Sequence, residues 1–504
     1  MSAGARAPAL VAGLLLLFPG LLRLDAPALW WDEGWTLTVA RQLAERDLYG
    51  RLLLGEPSSA GLNASYPVTA AVAAIFNVLG IGIWQGRLFG VLCAAVAAAA
   101  LCALASRLVS HSAAWWTLAV VLLLSGLPQL NMLLLGRQVL GEAPQLAALL
   151  LGYLALLAAL GGRWWWGVVA AVLFALAIVI KTQTAPFLLV SLLVAGGAAV
   201  LARRWRAVAV LAASIPLCYA AYQTWVWLQI AQTGSRSTGD ARGTVSGLAE
   251  VMGLVLVPAN RWYALGIVGT FGLPTLVGLA HGGWRWWLAR AAGATPERIV
   301  TLALLAFCAS WIMWYALLSV GVPRYLFPPV FVAALFLGAA LADWTGGAPQ
   351  RWLPRLFDRA AGWRTRAAAA GALLLLAAFV PLTLLAHARY YLVEDRSAQR
   401  VAAYLTANTP AGRAVETYES ELHFLLDIPY HFPPDQVHVD LNRRSLLGET
   451  VVVDYDPLQA NPYFVVTGRY TDARLGNGLY DDLIASGRVQ EVLRDGVYTV
   501  YRVR

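Results

Sequence analysis

Long apolar runs recur along the first three quarters of the chain, and short polar stretches separate them. A helix that crosses a membrane needs about 20 mostly apolar residues. Eleven runs of this kind lie at 8–24, 88–105, 113–131, 143–160, 164–180, 184–201, 207–230, 261–280, 299–320, 325–342 and 367–386. The pattern predicts an α-helical polytopic membrane protein with about eleven transmembrane helices.

A further apolar stretch at 67–80 is shorter, and Gly80 and Gly82 close it. We interpret it as a re-entrant or interfacial helix because of where arginine occurs. With the N-terminus inside, the loops that face the cytoplasm are short and rich in arginine, as the positive-inside rule requires. If 67–80 crossed the membrane, every later loop would change sides and the rule would fail. This orientation predicts an inner-membrane protein whose C-terminal region is extracytoplasmic.

Composition agrees with a membrane protein. Apolar residues make up 59% of the 504 residues and charged residues 13%, whereas a soluble domain has about 25% charged residues. This disfavours a soluble multidomain protein, a disordered chain and a coiled coil.

The four cysteines lie in apolar runs without metal or disulfide spacing, so we predict packing roles for them. Arg6 precedes the first run as in a signal peptide, but an aromatic stretch follows it instead of a cleavage site.

The apolar runs stop near residue 388, and the net charge changes sign there. Residues 388–504 contain 12 Arg and 16 acidic residues, a formal charge of −4, while residues 1–387 carry +13. We therefore predict a basic transmembrane domain at 1–387 and a soluble α/β domain at 388–504.

The C-terminal domain contains signals for both helix and strand. A helix is predicted at 396–407, and strands are predicted at 413–418, 435–441 and 462–468. Asp495-Gly496 lies between two alternating apolar runs and predicts a hairpin with a type I′ turn. Acidic residues and histidines between 416 and 438 could bind a metal, but a solvated surface is the simpler interpretation.

The interiors of the predicted spans contain no Asp, Glu, Lys or Arg. Ion-coupled transporters and proton pumps place such groups near the bilayer midplane, so this absence disfavours them. The notable charges lie instead at span ends that would face outside. They belong to four clusters: Trp-Trp-Asp-Glu-Gly-Trp at 30–35, Gly-Arg-Gln and Gly-Glu-Ala-Pro within 136–144, Lys-Thr-Gln-Thr at 181–184, and Pro-Arg-Tyr at 323–325.

Most of these residues also have a structural interpretation. Asp32 and Glu33 could cap the helix after the first span, since acids suit a helix N-terminus. Arg137 and Arg324 could snorkel to the interface, and Glu142 could simply open the fourth span. The tryptophans could form an interfacial belt or a wall on which a sugar stacks.

Lys181 is the only lysine among 37 basic residues. The composition uses arginine wherever a positive charge suffices. A single lysine therefore indicates that a compact ammonium group is needed, for example beside a phosphate, although chance retention is the alternative.

The order of these features resembles the GT-C glycosyltransferases, and within them the bacterial lipid A aminoarabinose transferases and the protein O-mannosyltransferases. The similar features are Asp-Glu after the first span, the helix that begins at Tyr66-Pro67, the run Gly80…Trp84…Arg87, the acidic site after the third span, the lysine after the fifth span, and Arg-Tyr-Leu-Phe-Pro at 324–328. The resemblance covers roughly residues 8–345.

The resemblance implies an inverting glycosyltransferase that moves a monosaccharide from a polyprenyl-phosphate donor in the membrane to an extracytoplasmic acceptor, which is a glycan, a lipid or a protein. In this family a carboxylate takes the proton of the acceptor hydroxyl, and fixed cations stabilise the departing phosphate. The candidate residues are, for catalysis, Asp32, Glu33 and Glu142; for the donor phosphate, Lys181, Arg137, Arg324 and Tyr325; and for the sugar or acceptor, Trp31, Trp35 and Tyr66.

The cofactor expectation departs from the family pattern. The aminoarabinose transferases bind zinc through a Glu and a His in their outer loops, and none of the six histidines here lies in an outer loop of the membrane domain. A similar zinc site is therefore not expected. Mg²⁺ or Mn²⁺ on Asp32, Glu33 and Glu142 stays open, because carboxylates suit these ions. No nucleic-acid partner is expected.

Two other functions stay open at this point. A transporter or flippase of lipid-linked sugars would need polar residues along a path through the membrane, which the apolar span interiors do not supply. A noncatalytic receptor or scaffold would depend on the outer domain and would tolerate the loss of Asp32.

Overall fold

Helices form most of the first three quarters of the chain. The computed structural model describes residues 3–61, 65–233, 253–289, 293–347 and 362–504. The helices of this part are α1 (Ala3–Leu21), α2 (Trp31–Arg46), α3 (Tyr66–Leu79), α4 (Ile83–Leu108), α5 (His111–Leu123), α6 (Met132–Leu135), α7 (Glu142–Leu160), α8 (Trp166–Ile180), α9 (Thr184–Leu201), α10 (Trp205–Thr233), α11 (Pro258–Thr270), α12 (Leu273–Leu288), α13 (Pro296–Leu318), α14 (Phe327–Thr345) and α15 (Trp363–Leu392). Two 3₁₀ turns (Pro128–Leu130 and Pro323–Leu326) and a small hairpin of β1 (Arg51–Leu53) and β2 (Glu56–Ser58) complete it.

Each predicted apolar run overlaps at least one of these helices. In the part of the chain that the structure describes, seven helices are each long and apolar enough to cross a membrane. They are α4, α7, α9, α10, α13, α14 and α15. The bent pair of α11 and α12 makes eight if it counts as one span, and α1, α3, α5 and α8 are apolar but shorter. The prediction of eleven spans therefore stays a prediction.

Two of the predicted spans differ from straight helices. The run at 261–280 is broken, because α11 and α12 meet at an angle of 70° and Pro274 lies in the first turn of α12. The run at 113–131 ends as a helix at Leu123. Gly126 and Pro128 follow, and proline cannot continue a helix without losing a hydrogen bond.

Small residues allow the long helices to approach one another closely. A Cβ atom on Gly338 of α14 would lie 2.4 Å from Oγ1 of Thr117 on α5, and one on Gly152 of α7 would lie 2.6 Å from the ring of Phe174 on α8. Between membrane helices, where lipid is as apolar as the side chains, such close packing holds a bundle together.

The C-terminal part is the expected mixture of helix and strand. Its elements are α16 (Ser397–Asn408), β3 (Ala414–Thr417), α17 (Ser420–Leu425), β4 (Tyr430–His431), α18 (Asp435–Asn442), a π-helical turn (Arg443–Leu447), β5 (Pro462–Thr467), α19 (Arg469–Ala473), α20 (Asp481–Ala485), β6 (Val489–Asp495) and β7 (Tyr498–Val503). The sheet has the order β4-β3-β5-β7-β6, with β3 parallel to both β4 and β5 and the other pairs antiparallel.

Two predictions for this part are wrong in detail. Residues 435–441 form helix α18, not a strand. Pro434 precedes this helix, and Asp435 in its first turn suits the helix N-terminus. The hairpin of β6 and β7 is confirmed, but its two loop residues are Gly496 and Val497. Only Gly496 has a positive φ, of 59°, whereas a type I′ turn requires positive φ at both positions.

Helix α2 belongs to the first loop after α1, yet it packs directly against α17 of the C-terminal part. A Cβ atom on Gly34 would lie 2.2 Å from Cα of Glu421, so only glycine fits at this crossing. The hydroxyl of Ser420 donates to the carbonyl oxygen of Trp31, and the indole of Trp31 donates to the carbonyl oxygen of Tyr418 at 2.7 Å. The two parts of the chain therefore share one packed interface beside Asp32.

Candidate active site

Four of the predicted site residues come together at the ends of separate helices. Asp32 lies in the first turn of α2, Glu142 opens α7, Lys181 directly follows α8, and Arg324 lies in the 3₁₀ turn before α14. Nη2 of Arg324 lies 2.6 Å from Oδ2 of Asp32, and its Nε lies 3.2 Å from Oε1 of Glu142. Nζ of Lys181 donates to the same oxygen of Glu142. We call these four residues the charge cluster.

The members of the charge cluster differ in exposure. The side chain of Asp32 is 33% exposed, that of Arg324 17% and that of Glu142 only 2%, so Glu142 forms the floor and Asp32 the rim. Among the described residues, Nη1 of Arg324 and Oε2 of Glu142 are buried without a hydrogen-bond partner. A guanidinium edge without a partner suits an oxygen of a phosphate. The cluster therefore has capacity for a further anion.

Local sequence explains why Lys181 reaches the cluster. A Cβ atom on Gly141 would lie 3.2 Å from Cε of Lys181, so the glycine leaves room for the lysine stem. Nε2 of Gln145, one turn after Glu142, donates to Oγ1 of Thr184 at 2.7 Å and fixes the turn between α8 and α9. Burial lowers the pKa of Lys181, and the carboxylate of Glu142 opposes that effect.

Glu33, the neighbour of Asp32, is fully buried and points away from the charge cluster. Its two carboxylate oxygens accept from Nε and Nη2 of Arg87 at 2.7 and 2.8 Å. They also accept from the backbone N–H groups of Trp30 and Val139, each at 3.2 Å. Glu33 caps α2, as the structural interpretation expects, and lies apart from the charge cluster because consecutive helix residues lie on different sides of the helix. Its predicted catalytic role stays a prediction.

Arg137 is likewise absent from the charge cluster. Its Nη2 donates to the carbonyl oxygens of Leu22 and Arg23 at 2.6 and 2.7 Å, and its guanidinium lies 4.3 Å from the ring centroid of Tyr391 on α15. The side chain is fully buried, so it does not snorkel to an interface, and its predicted role at a donor phosphate stays a prediction. Arg137 instead ties the end of α1 to α15.

Trp31 and Trp35 do not form an exposed sugar-stacking wall, nor an interfacial belt. Both are buried. Trp31 stacks on His438 with ring centroids 5.3 Å apart. The indole of Trp35 donates to the carbonyl oxygen of Ala60 at 2.7 Å, and the guanidinium of Arg51 lies over its ring at 4.1 Å. These tryptophans hold the first loop against the C-terminal part of the chain.

The remaining two predicted residues lie at partly exposed positions. Tyr66 begins α3, and its ring packs edge-on against Tyr49 at 5.3 Å. Tyr325 follows Arg324, its carbonyl oxygen accepts from the indole of Trp311 at 2.8 Å, and its ring lies 6.4 Å from that of Trp314. Their predicted roles stay predictions.

The carboxylates do not fit a divalent metal. Within the described ranges, no three His, Cys, Asp or Glu side chains form a group that could hold a metal ion. Asp32 and Glu142 are each paired with Arg324, and Glu33 is held by Arg87. Two cations already balance the two carboxylates of the charge cluster, so the expectation of Mg²⁺ or Mn²⁺ on these three acids is not supported.

The C-terminal domain brings aromatic residues towards Asp32 that the sequence analysis missed. The ring of Tyr470 lies 5.7 Å from that of Trp31, and the hydroxyl of Tyr418 lies 2.5 Å from Nδ1 of His438. Burial lowers the pKa of His438 to about 4, so its ring is neutral at pH 7. No local motif marks these residues, because their partners lie far away in the sequence.

Known structures share the whole architecture. No protein-family model and no curated protein matches the sequence. The crystal structure of ArnT from Cupriavidus metallidurans bound to undecaprenyl phosphate matches with a TM-score of 0.63 at 15% identity, over 99% of this chain and 98% of that one. The archaeal oligosaccharyltransferase AglB from Archaeoglobus fulgidus, in complex with an inhibitory peptide and a dolichol-phosphate, matches with a TM-score of 0.54 at 15% identity, over 93% and 70%.

The chain has the GT-C fold. The resemblance inferred from the sequence is therefore confirmed for the fold, and it extends beyond residues 8–345 to nearly the whole chain. The apolar helices and the matching membrane proteins make this chain an integral membrane protein.

Proposed function

We propose that this chain is an inverting glycosyltransferase that moves a monosaccharide from a polyprenyl-phosphate donor to an extracytoplasmic acceptor. The charge cluster carries the proposal, because it sets a partly exposed carboxylate beside two cations at the ends of apolar helices. Two proteins of the same fold have been solved with undecaprenyl phosphate and with a dolichol-phosphate. A lipid-linked phosphate is therefore the ligand class that best fits this site.

In this mechanism Asp32 is the general base. Its carboxylate takes the proton of an acceptor hydroxyl as that oxygen attacks the anomeric carbon, and proton transfer of this kind contributes about 10²–10⁴-fold. The bond between the anomeric carbon and the phosphate oxygen breaks, and the phosphate leaves with the electron pair. Attack opposite the leaving group inverts the anomeric carbon. Asp32 is suited to this role because it is the most exposed carboxylate of the cluster.

Arg324 and Lys181 stabilise the phosphate. Arg324 pairs with Asp32 through Nη2 and has Nη1 without a partner among the residues described. When a phosphate binds to this guanidinium, it competes with Asp32 and releases the carboxylate for the acceptor. Fixed cations act strongly in a partly dry site, because little solvent reorganisation is needed as charge develops.

Glu142 positions the two cations. Its Oε1 contacts both Lys181 and Arg324, and its side chain is almost fully buried. We assign it this role in place of the catalytic role expected from the sequence, because it lies beneath the cations, away from the exposed rim.

The proposal includes the arrangement of the chain in the inner membrane. Residues 1–387 form the transmembrane domain, and residues 388–504 form an extracytoplasmic domain over the site. The arginine-rich cytoplasmic loops and the change of net charge near residue 388 support this division. Helix α15 ends at Leu392, close to the proposed boundary.

The test is a sugar analysis of the cell envelope. Four strains are compared: wild type, the deletion, and the deletion complemented with Asp32→Asn or with Asp25→Asn at equal protein levels. Asp25→Asn is the matched control, since Asp25 lies in the same loop and forms an exposed ion pair with Arg396 at 3.8 Å. We expect one sugar to disappear in the deletion, and we expect only Asp25→Asn to restore it. Full restoration of the sugar by Asp32→Asn would overturn the assignment as an enzyme and would favour a transporter or a scaffold.

A further inference from the structure

Tyr470 is a buried tyrosine that forms no side-chain hydrogen bond within the described ranges. It is the second residue of α19, and the residue is 6% exposed. Its hydroxyl oxygen is buried and lacks a hydrogen-bond partner among the described residues. Buried tyrosine hydroxyls normally find a partner, and one left without a partner costs stability. The position therefore retains a polar atom that the fold itself does not require.

The backbone of Tyr470 is held firmly. Oε1 of Glu419 accepts from the N–H groups of Tyr470 and Thr471 at 3.0 and 2.9 Å, and from the hydroxyl of Thr471 at 3.0 Å. Gly468 lies against the Glu419 side chain, where a Cβ atom would approach Cδ to 2.8 Å. These contacts fix the direction in which the phenol projects, independently of its hydroxyl group.

The ring of Tyr470 lies beside the two residues that precede Asp32 of the charge cluster. It packs edge-on against the ring of Trp30 at 5.8 Å, and it lies against the ring of Trp31 at 5.7 Å with a tilt of 38°. Burial raises the pKa of the phenol most, and among charged groups the carboxylate of Asp32 contributes most in the same direction, while Arg324 opposes it. The phenol therefore lies within electrostatic range of Asp32 and Arg324, the ion pair of the cluster.

We propose that the hydroxyl group of Tyr470 binds a hydroxyl group of the acceptor and orients it towards Asp32. The ligand class is a polyhydroxylated molecule, such as a glycan or the sugar headgroup of a lipid, that enters between the C-terminal domain and the charge cluster. This inference rests on the proposed glycosyltransferase function and adds an acceptor contact from the C-terminal domain. The donor phosphate binds to Arg324 and Lys181, as in the proposed function.

Tyr470→Phe tests this role, because it removes one oxygen atom and keeps the ring. Full-length protein is compared in two assays: the rate at which the envelope sugar appears in complemented deletion cells at low, equal expression, and the binding of undecaprenyl phosphate to purified protein in nanodiscs. A hydrogen bond of ordinary strength supports a loss of about 5- to 10-fold in rate. We expect that loss, with undecaprenyl-phosphate affinity within twofold of wild type and a Tm that does not fall.

The matched control is Tyr480→Phe. The hydroxyl of Tyr480 is also buried in the C-terminal domain, but it donates to Oε1 of Glu416 at 2.8 Å. Its loss should lower the Tm and leave the rate per folded protein within twofold. This pairing separates a residue whose hydroxyl serves a ligand from one whose hydroxyl serves the fold.

A rate for Tyr470→Phe within fivefold of wild type overturns the proposal. A lowered Tm or a loss of undecaprenyl-phosphate binding also overturns it, since the hydroxyl would then act on the fold or on the donor. Failure of the proposed function is recognised separately, because in that case wild type itself would bind no undecaprenyl phosphate and the deletion would lose no envelope sugar.

Discussion

Nη2 of Arg324 lies 2.6 Å from Oδ2 of Asp32, so the turn before α14 is joined to the first turn of α2. This ion pair connects the two halves of the proposed chemistry, since one partner takes a proton and the other holds a phosphate. In the absence of phosphate, Nη2 of Arg324 pairs with the carboxylate of Asp32. When the donor phosphate binds, it must replace Asp32 as the partner of Arg324, and several expected outcomes depend on that replacement.

Asp32→Asn should abolish transfer and at the same time strengthen phosphate binding. The amide cannot accept a proton, so the rate should fall by about 10²–10⁴-fold. Arg324 loses its competing carboxylate, so affinity for undecaprenyl phosphate should rise severalfold. Binding is measured with purified protein in nanodiscs and activity by envelope sugar content. Unchanged or weaker binding would show that Asp32 and the phosphate do not share Arg324.

Glu33→Gln should destabilise the protein, in contrast to Asp32→Asn. The substitution leaves the fully buried guanidinium of Arg87 without its carboxylate, and removing one partner of a buried ion pair costs about 3–5 kcal/mol. Thermal unfolding of detergent-solubilised protein should show a clearly lower Tm for Glu33→Gln and a Tm close to wild type for Asp32→Asn. Equal Tm values for the two variants would contradict the assignment of Glu33 to structure.

Arg324→Lys should weaken the binding of undecaprenyl phosphate about tenfold, because lysine retains the charge but loses the planar, two-pronged donor edge. Arg285→Lys is the control, since Arg285 also pairs with a carboxylate, that of Asp343, but at an exposed position. The two variants are compared by titration with undecaprenyl phosphate. If Arg324→Lys binds as well as the control, the donor phosphate does not contact Arg324.

Gly34→Ala should separate α2 from the C-terminal domain. The added methyl group would lie 2.2 Å from Cα of Glu421 and 2.6 Å from its backbone nitrogen, so the backbone must shift. We expect a lower Tm, faster proteolysis of the C-terminal domain and a reduced transfer rate. Gly196→Ala on α9 is the control, because no heavy atom lies within 4 Å of its added methyl group. Similar behaviour of both variants would refute the tight crossing.

His438 should make the C-terminal domain less stable in acid. Burial lowers its pKa from 6.5 to about 4, so the unfolded chain takes up a proton first as the pH falls. The stability it contributes is present above pH 6.5 and is lost as the pH falls towards 4, by about 3 kcal/mol in all. Burial raises the pKa values of Glu419 and Glu421, which respond in the opposite sense. The measurement therefore compares the pH dependence of Tm in wild type with that in His438→Gln. We expect the fall in Tm between pH 6.5 and pH 4 to be smaller in the variant.

The sequence was sufficient for the class of protein and for most helix positions. A long apolar run has few alternatives to a membrane helix, because unpaired backbone groups are too costly in lipid. The same reasoning placed Asp32, Glu142, Lys181 and Arg324 at helix ends, and the structure brings these four together. The strand predicted at 435–441 failed because alternation over seven residues cannot exclude a short helix whose buried residues lie on several sides.

The sequence by itself determined which segments are apolar and which rare charges interrupt them, since both follow from composition along the chain. Only the tertiary structure decided that Asp32 faces Arg324 while Glu33 faces Arg87, that Arg137 binds carbonyl oxygens at the end of α1, and that Tyr470 of the C-terminal part packs against Trp31. The physical reason is that these choices depend on helix rotation and on contacts between residues far apart in the chain. Neighbouring residues on a helix point about 100° apart, so adjacency in sequence does not determine a shared role.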